Sequence, residues 1–225
     1  MAQVEDAASV KAIITGISGT GKSTLFEKLV RREQAKRIFL FDHKSGDMAR
    51  RFGVRACFDR EQLIEAIARG DVIIIYNPAK EFPGLRVPDG FDWFCKFIWA
   101  IKDLIPGRKI LGADELDALV DARSEPESLC LILDQGRTFQ IETVFIAQAM
   151  NGIHNQVRKQ FTEIFVMIQG DKNGVAYLEE KGFDVAEIAA LKHGEWLYLN
   201  RNTGERTRGG KAFVPKNSGR NLKGL

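Results

Sequence analysis

At 225 residues the chain has room for one large domain, or one domain with small appendages, and 44% hydrophobic content suits a globular core. Its apolar runs are too short to span a bilayer, its acidic start at 1–6 lacks signal-peptide regions, and three well-spaced cysteines argue against a disulfide framework or zinc site. The net charge of +3 is uneven: 201–225 holds seven basic residues and one acid, a net of +6 that leaves −3 elsewhere. That segment reads either as a polyanion contact or as a solvated terminus, and the cysteine usage fits a reducing cytosol.

In chain order, a short apolar stretch at 10–14 runs into Gly16-Ile-Ser-Gly-Thr-Gly-Lys-Ser23, after which Leu25, Phe26, Leu29 and Val30 fall at helical spacing. A strand follows at 38–41, closed by Asp42, then a helix at 61–69 and a β-branched strand at 72–76. Three prolines make 77–90 a loop, and an aromatic stripe makes 91–105 a helix. The strand at 109–113 ends in Asp114-Glu115, a helix occupies 125–135 with Pro126 in its first turn, and strands follow at 143–147 and 164–168. A helix at 173–181 stops at Gly182, Asp184 and Glu187 mark the next helix as a capping box, and 196–199 is a strand entering a turn. Strands alternating with helices predict a three-layer α/β fold on a mostly parallel sheet.

Residues 16–23 match G-x-x-x-x-G-K-[ST] between a strand and a helix, the context that a P-loop requires. The backbone of Gly16, Ile17, Ser18, Gly19, Thr20, Gly21, Lys22, Ser23 and Thr24 would cradle the phosphates of ATP at a helix N-terminus. Lys22 reaches the β- and γ-phosphates, and the Ser23 hydroxyl joins the shell of Mg²⁺. Asp114, at the end of a buried strand, would hold the same Mg²⁺, as a Walker B acid does. Glu115 can deprotonate a water for in-line attack, which favours hydrolysis over small-molecule kinase chemistry, where the substrate supplies the nucleophile.

Gln148 ends a strand that, if it lies between the P-loop and Asp114 strands, brings an amide near the γ-phosphate. Arg137 ends the preceding helix and could reach a neighbouring subunit's γ-phosphate, with Arg158 and Arg123 as competitors. The three histidines show no ligand spacing.

Gly16 to Thr24, Leu111-Gly-Ala-Asp-Glu115, Asp134-Gln-Gly-Arg-Thr138 and Phe145-Ile-Ala-Gln-Ala149 stand in an order and spacing that resembles the FtsK/HerA superfamily of DNA-pumping ATPases. The likeness covers roughly 12–200 and is greatest to the compact genome-packaging ATPases of tailless viruses with an internal membrane. It implies a RecA-like (ASCE) P-loop domain over 1–200 with a basic extension over 201–225. It further implies a ring of six subunits that drives double-stranded DNA into a preformed capsid, with capsid or packaging-vertex proteins as partners and the virion and host cytoplasm as locations. On matching positions it makes Lys22 and Ser23 the phosphate and Mg²⁺ ligands, Asp114 and Glu115 the Walker B acids, Gln148 the sensor and Arg137 the finger. A conjugation or plasmid DNA-transfer motor shares this chemistry. The stretches 44–51, 77–90 and 151–159 are candidate DNA-contacting loops.

Overall fold

The computed structural model describes residues 9–32, 34–44, 46–120 and 126–210. The first strand, β1 (Lys11–Thr15), runs through the glycine loop into helix α1 (Lys22–Arg32). Then come β2 (Arg37–Phe41), α2 (Asp47–Phe52), β3 (Ala56–Cys57), α3 (Arg60–Arg69) and β4 (Ile73–Tyr76). Helix α4 (Val87–Ala100) leads to β5 (Lys109–Ala113), a single turn α5 (Leu116–Leu119), α6 (Glu127–Gln135) and β6 (Ile141–Ala147). Helix α7 (Asn155–Gln160), β7 (Glu163–Val166), α8 (Lys172–Glu180), α9 (Val185–Ala189), β8 (Trp196–Asn200) and β9 (Arg206–Gly209) complete the described chain.

One nine-stranded sheet joins them in the order β3-β4-β2-β5-β6-β1-β7-β8-β9. From β3 to β7 all pairings are parallel, while β8 and β9 add an antiparallel edge. The expected three-layer α/β fold on a mostly parallel sheet is the fold observed. Strand β6 pairs with β1 on one side and β5 on the other. This is the placement that the reading of Gln148 required.

Alternate strand residues feed opposite cores. Ile13, Phe39, Phe41 and Leu111 face the larger core, built with α3, α4 and α6. Ala12, Ile14, Ile38 and Leu40 face a second core with α1 and α2. Strands buried on both faces explain why 109–113 and 141–147 carry no polar alternation. The aromatic stripe is the packed face of α4: the Phe91 ring lies 5.2 Å from Phe41, and Phe94 stacks 5.5 Å from Tyr76.

Several boundaries differ from expectation. The loop expected over 77–90 instead carries two short 3₁₀ turns and the start of α4, because Pro88 sits in a first turn where no N–H bond is lost. Helix α2 and the two-residue β3 had no periodic signal long enough to read. The extension expected from residue 201 begins inside the sheet: Arg206–Gly209 forms β9 against β8. Residues 211–225 lie outside the described residues. Asp184 does cap α9, accepting from the N–H groups of Ala186 and Glu187 at 2.6 and 3.2 Å. Cys57, Cys95 and Cys130 are buried thiols, and none of them forms a disulfide. Among the described residues no helix is long and apolar enough to cross a membrane.

Gly112 explains how α1 can sit so close to β5. A Cβ there would lie 2.9 Å from the Phe26 ring, 2.9 Å from Leu40 and 2.9 Å from the Val144 carbonyl oxygen. None of these neighbours can yield, since all are fully or almost fully buried. Gly112→Ala should therefore destabilise the chain by about 1–3 kcal/mol through overpacking. Chemical denaturation checks it, and an unchanged midpoint would mean that α1 has room to lift off the sheet.

Candidate active site

The site lies along the C-terminal edge of the parallel strands, where consecutive βα turns open side by side. Gly19 and Gly21 take φ of 80° and 104°, a left-handed region that a side chain resists, so the loop can curl as it must. The loop is tied at both flanks: Ile17 N–H donates to the Ile168 carbonyl at 2.9 Å, and Gly16 N–H to the Ala147 carbonyl at 3.3 Å. The Lys22 ammonium is buried and donates to the carbonyls of Gly16 at 2.6 Å and Ile17 at 2.8 Å. Burial lowers its pKa, while Asp114, Asp117 and Glu115 pull the other way.

Asp114 follows the last residue of β5, and its carboxylate accepts the Glu115 N–H at 2.8 Å. Burial raises its pKa, partly offset by the Lys44 charge. Glu115 itself is left-handed at φ 51°, ψ 53°, a conformation costing a non-glycine residue about 1–3 kcal/mol. That backbone sets the Glu115 carboxylate among three partners. Oε1 accepts from the Gln148 amide at 2.9 Å and from the Lys44 ammonium, and Oε2 lies 3.5 Å from His43 Nε2. Desolvation acts to raise the Glu115 pKa, but the bonds from Lys44 and Gln148 outweigh it and hold the carboxyl low.

Gln148 follows the last residue of β6, and Asp117 of α5 locks it there. The Asp117 carboxylate accepts the Gln148 N–H at 3.2 Å and the Ala149 N–H at 3.3 Å. Glu115 and Gln148, 33 residues apart, thus meet because β6 lies beside β5.

Lys22, Ser23, Asp114, Glu115 and Gln148 all line one cleft of about 360 Å³, together with Lys44, Arg51 and His193. A larger hollow of about 850 Å³ at the β3 edge holds none of these residues, so the chemistry rather than the size marks the site. Ser23 and Asp114 offer hard oxygen donors in the same cleft, as Mg²⁺ prefers. Among the described residues no cluster of three or more His, Cys, Asp or Glu could hold a metal.

Arg137 does not enter this cleft. It lies in the Gly136–Phe139 turn before β6, at the strand end opposite Gln148, roughly 20 Å away along seven extended residues. Any contact of Arg137 with a γ-phosphate has to be made in another copy's site. Arg158, near the end of α7, lies with its guanidinium 4.8 Å from the Tyr177 ring centre. Arg123 lies outside the described residues.

Five site residues escaped the sequence reading. Lys44 and Arg51 bound the stretch 44–51, a candidate DNA-contacting loop; both line the cleft, and the Lys44 ammonium meets Glu115. His43 and Asp117 had no motif around them. His193 arrives on the turn before β8, which is pinned to the phosphate loop by Gly194 N–H donating to the Thr20 carbonyl at 3.0 Å.

No protein-family model and no curated protein matches the sequence. Solved structures do. The genome packaging NTPase B204 from Sulfolobus turreted icosahedral virus 2, in complex with sulfate, superposes with a TM-score of 0.71 at 16% identity, over 89% of this chain and 95% of that one. VirB4 of Thermoanaerobacter pseudethanolicus gives 0.67 at 13% identity, over 96% and 93%. EccC of Thermomonospora curvata (ATPases 2 and 3), in complex with a signal sequence peptide, gives 0.52 at 12% identity, over 90% of this chain and 36% of that one. The chain has the fold of P-loop ATPases.

Proposed function

We propose that this chain is an ATP-hydrolysing motor that translocates double-stranded DNA, packaging a viral genome into a preformed capsid. What carries the reading is the convergence of Lys22, Asp114, Glu115 and Gln148 on one cleft across three adjacent strands. Support comes from the likeness to B204 over nearly the whole of both chains.

In this reading the glycine loop and Lys22 hold the β- and γ-phosphates, and Ser23 and Asp114 hold Mg²⁺. The ion, when bound, offsets charge on the phosphate oxygens. Gln148 and Glu115 orient a water. Its oxygen bonds to the γ-phosphorus as the bond from that phosphorus to the ADP oxygen breaks, and Glu115 takes the water's proton. ADP and inorganic phosphate leave.

Arg137 would complete a neighbour's site in a ring, and the ring would stand at a packaging vertex of the virion, with subunits made in the host cytoplasm. Of the seven basic residues of 201–225, Arg201, Arg206 and Arg208 bond within the fold, and the other four suit a phosphate backbone. A second reading keeps the chemistry and changes the cargo to a polypeptide, favoured by the EccC likeness, since that protein was solved with a signal sequence peptide.

Steady-state ATPase assays with added duplex DNA separate these readings. Duplex DNA should raise turnover severalfold, with a stimulation that declines steeply as salt rises. Stimulation by unstructured peptide but not by DNA would replace the DNA reading with the second one.

A further inference from the structure

The Lys44 ammonium stands at the point where the hydrolytic base and the phosphate cleft meet. Its backbone is fixed at both ends of the residue. The Lys44 N–H donates to Asp42 Oδ1 at 3.0 Å, and its carbonyl accepts from the buried Asn77 amide at 3.0 Å. Its side chain is 43% exposed and shares the cleft with Lys22 and Ser23. A rigid anchor with a four-carbon stem lets the ammonium change partner without moving the loop. Its pairing with Glu115, against the desolvation that opposes it, keeps Lys44 protonated.

As arranged, Glu115 is a poor base. One carboxylate oxygen is engaged by both Lys44 and Gln148, and the other faces His43. A carboxylate paired to a cation holds its lone pairs against an incoming proton. A terminal phosphate carries more negative charge than a carboxylate and would compete for the same ammonium.

We propose that Lys44 is a catalytic residue that passes from Glu115 to the γ-phosphate when nucleotide binds, freeing the base only when a triphosphate fills the cleft. This rests on the reading of the cleft as an ATP hydrolysis site. It gives the site discrimination between ATP and ADP through a lysine outside the P-loop, supplied by the turn after β2. It also places a second cation against charge that builds on the γ-phosphate in the transition state.

The test compares ATPγS and ADP affinities in Lys44→Met, Lys44→Arg and the parent chain, alongside ATP turnover. Lys44→Met should bind ATPγS at least tenfold more weakly with ADP binding within about twofold, and turnover should fall. Lys44→Arg should recover most of the ATPγS affinity. Equal loss for both nucleotides, or no loss for either, overturns the proposal. So does faster turnover in Lys44→Met, which would make Lys44 a clamp on Glu115 and nothing more. A parent chain that binds neither nucleotide is a different outcome: it removes the hydrolytic reading itself, and Lys44's role with it.

Discussion

Glu115→Gln should bind ATP at least as tightly as the parent chain and turn it over about 10²–10⁴-fold more slowly, the range that a positioned base contributes. Glutamine keeps the length and the hydrogen bond to Gln148 but cannot take a proton from water. It also carries no charge for Lys44, so the ammonium stays available to the phosphates. The strained backbone at φ 51° is unaltered by the change, and thermal stability should move little. Single-turnover hydrolysis beside equilibrium binding separates the two effects. Turnover within threefold of the parent would remove Glu115 from the chemistry and leave the strained backbone unexplained.

Lys22→Ala should weaken ATP binding by about 10²-fold or more, as the loss of charge-assisted bonds worth roughly 1.5–3 kcal/mol each implies. The ammonium is buried, with the carbonyls of Gly16 and Ile17 as its partners, so no solvated side chain can replace it. The same variant tests Arg137. Subunits carrying Lys22→Ala keep an intact Arg137, and subunits carrying Arg137→Ala keep an intact nucleotide cleft. Each alone should be inactive, while mixtures should recover part of the activity at interfaces that pair one good half with the other. No recovery at any ratio would exclude Arg137 as the arginine acting across subunits. Its place at the far end of β6 would then be explained by local packing.

The parts of the site legible in the sequence were those written contiguously. The glycine loop, the Asp114-Glu115 pair at a strand end and Gln148 at another all carry local signatures, and the alternation of strand and helix gave the sheet its character. Lys44, His43 and Asp117 carry none. Lys44 reaches Glu115 across 71 residues, through a strand order that only the folded sheet reveals. The boundary errors have similar causes. Pro88 reads as a breaker unless its position within the first turn is known, β3 is two residues long, and the Arg-Thr-Arg-Gly of β9 has no apolar residue to announce a strand.

The position of β6 also bears on how the chain comes together in time. The strand carrying the phosphate loop is made first, yet its partners on either side, β6 and β7, begin at residues 141 and 163. During synthesis β1 therefore has to wait, with both edges unpaired, until residues 141–147 have left the ribosome. Its apolar residues are then open to mispairing, a vulnerability that grows with the sequence distance to be closed. Strand β6 is the one that joins the loop strand to the acidic strand. The catalytic cleft and the centre of the sheet thus both depend on β6, and a nascent chain lacking it can close neither.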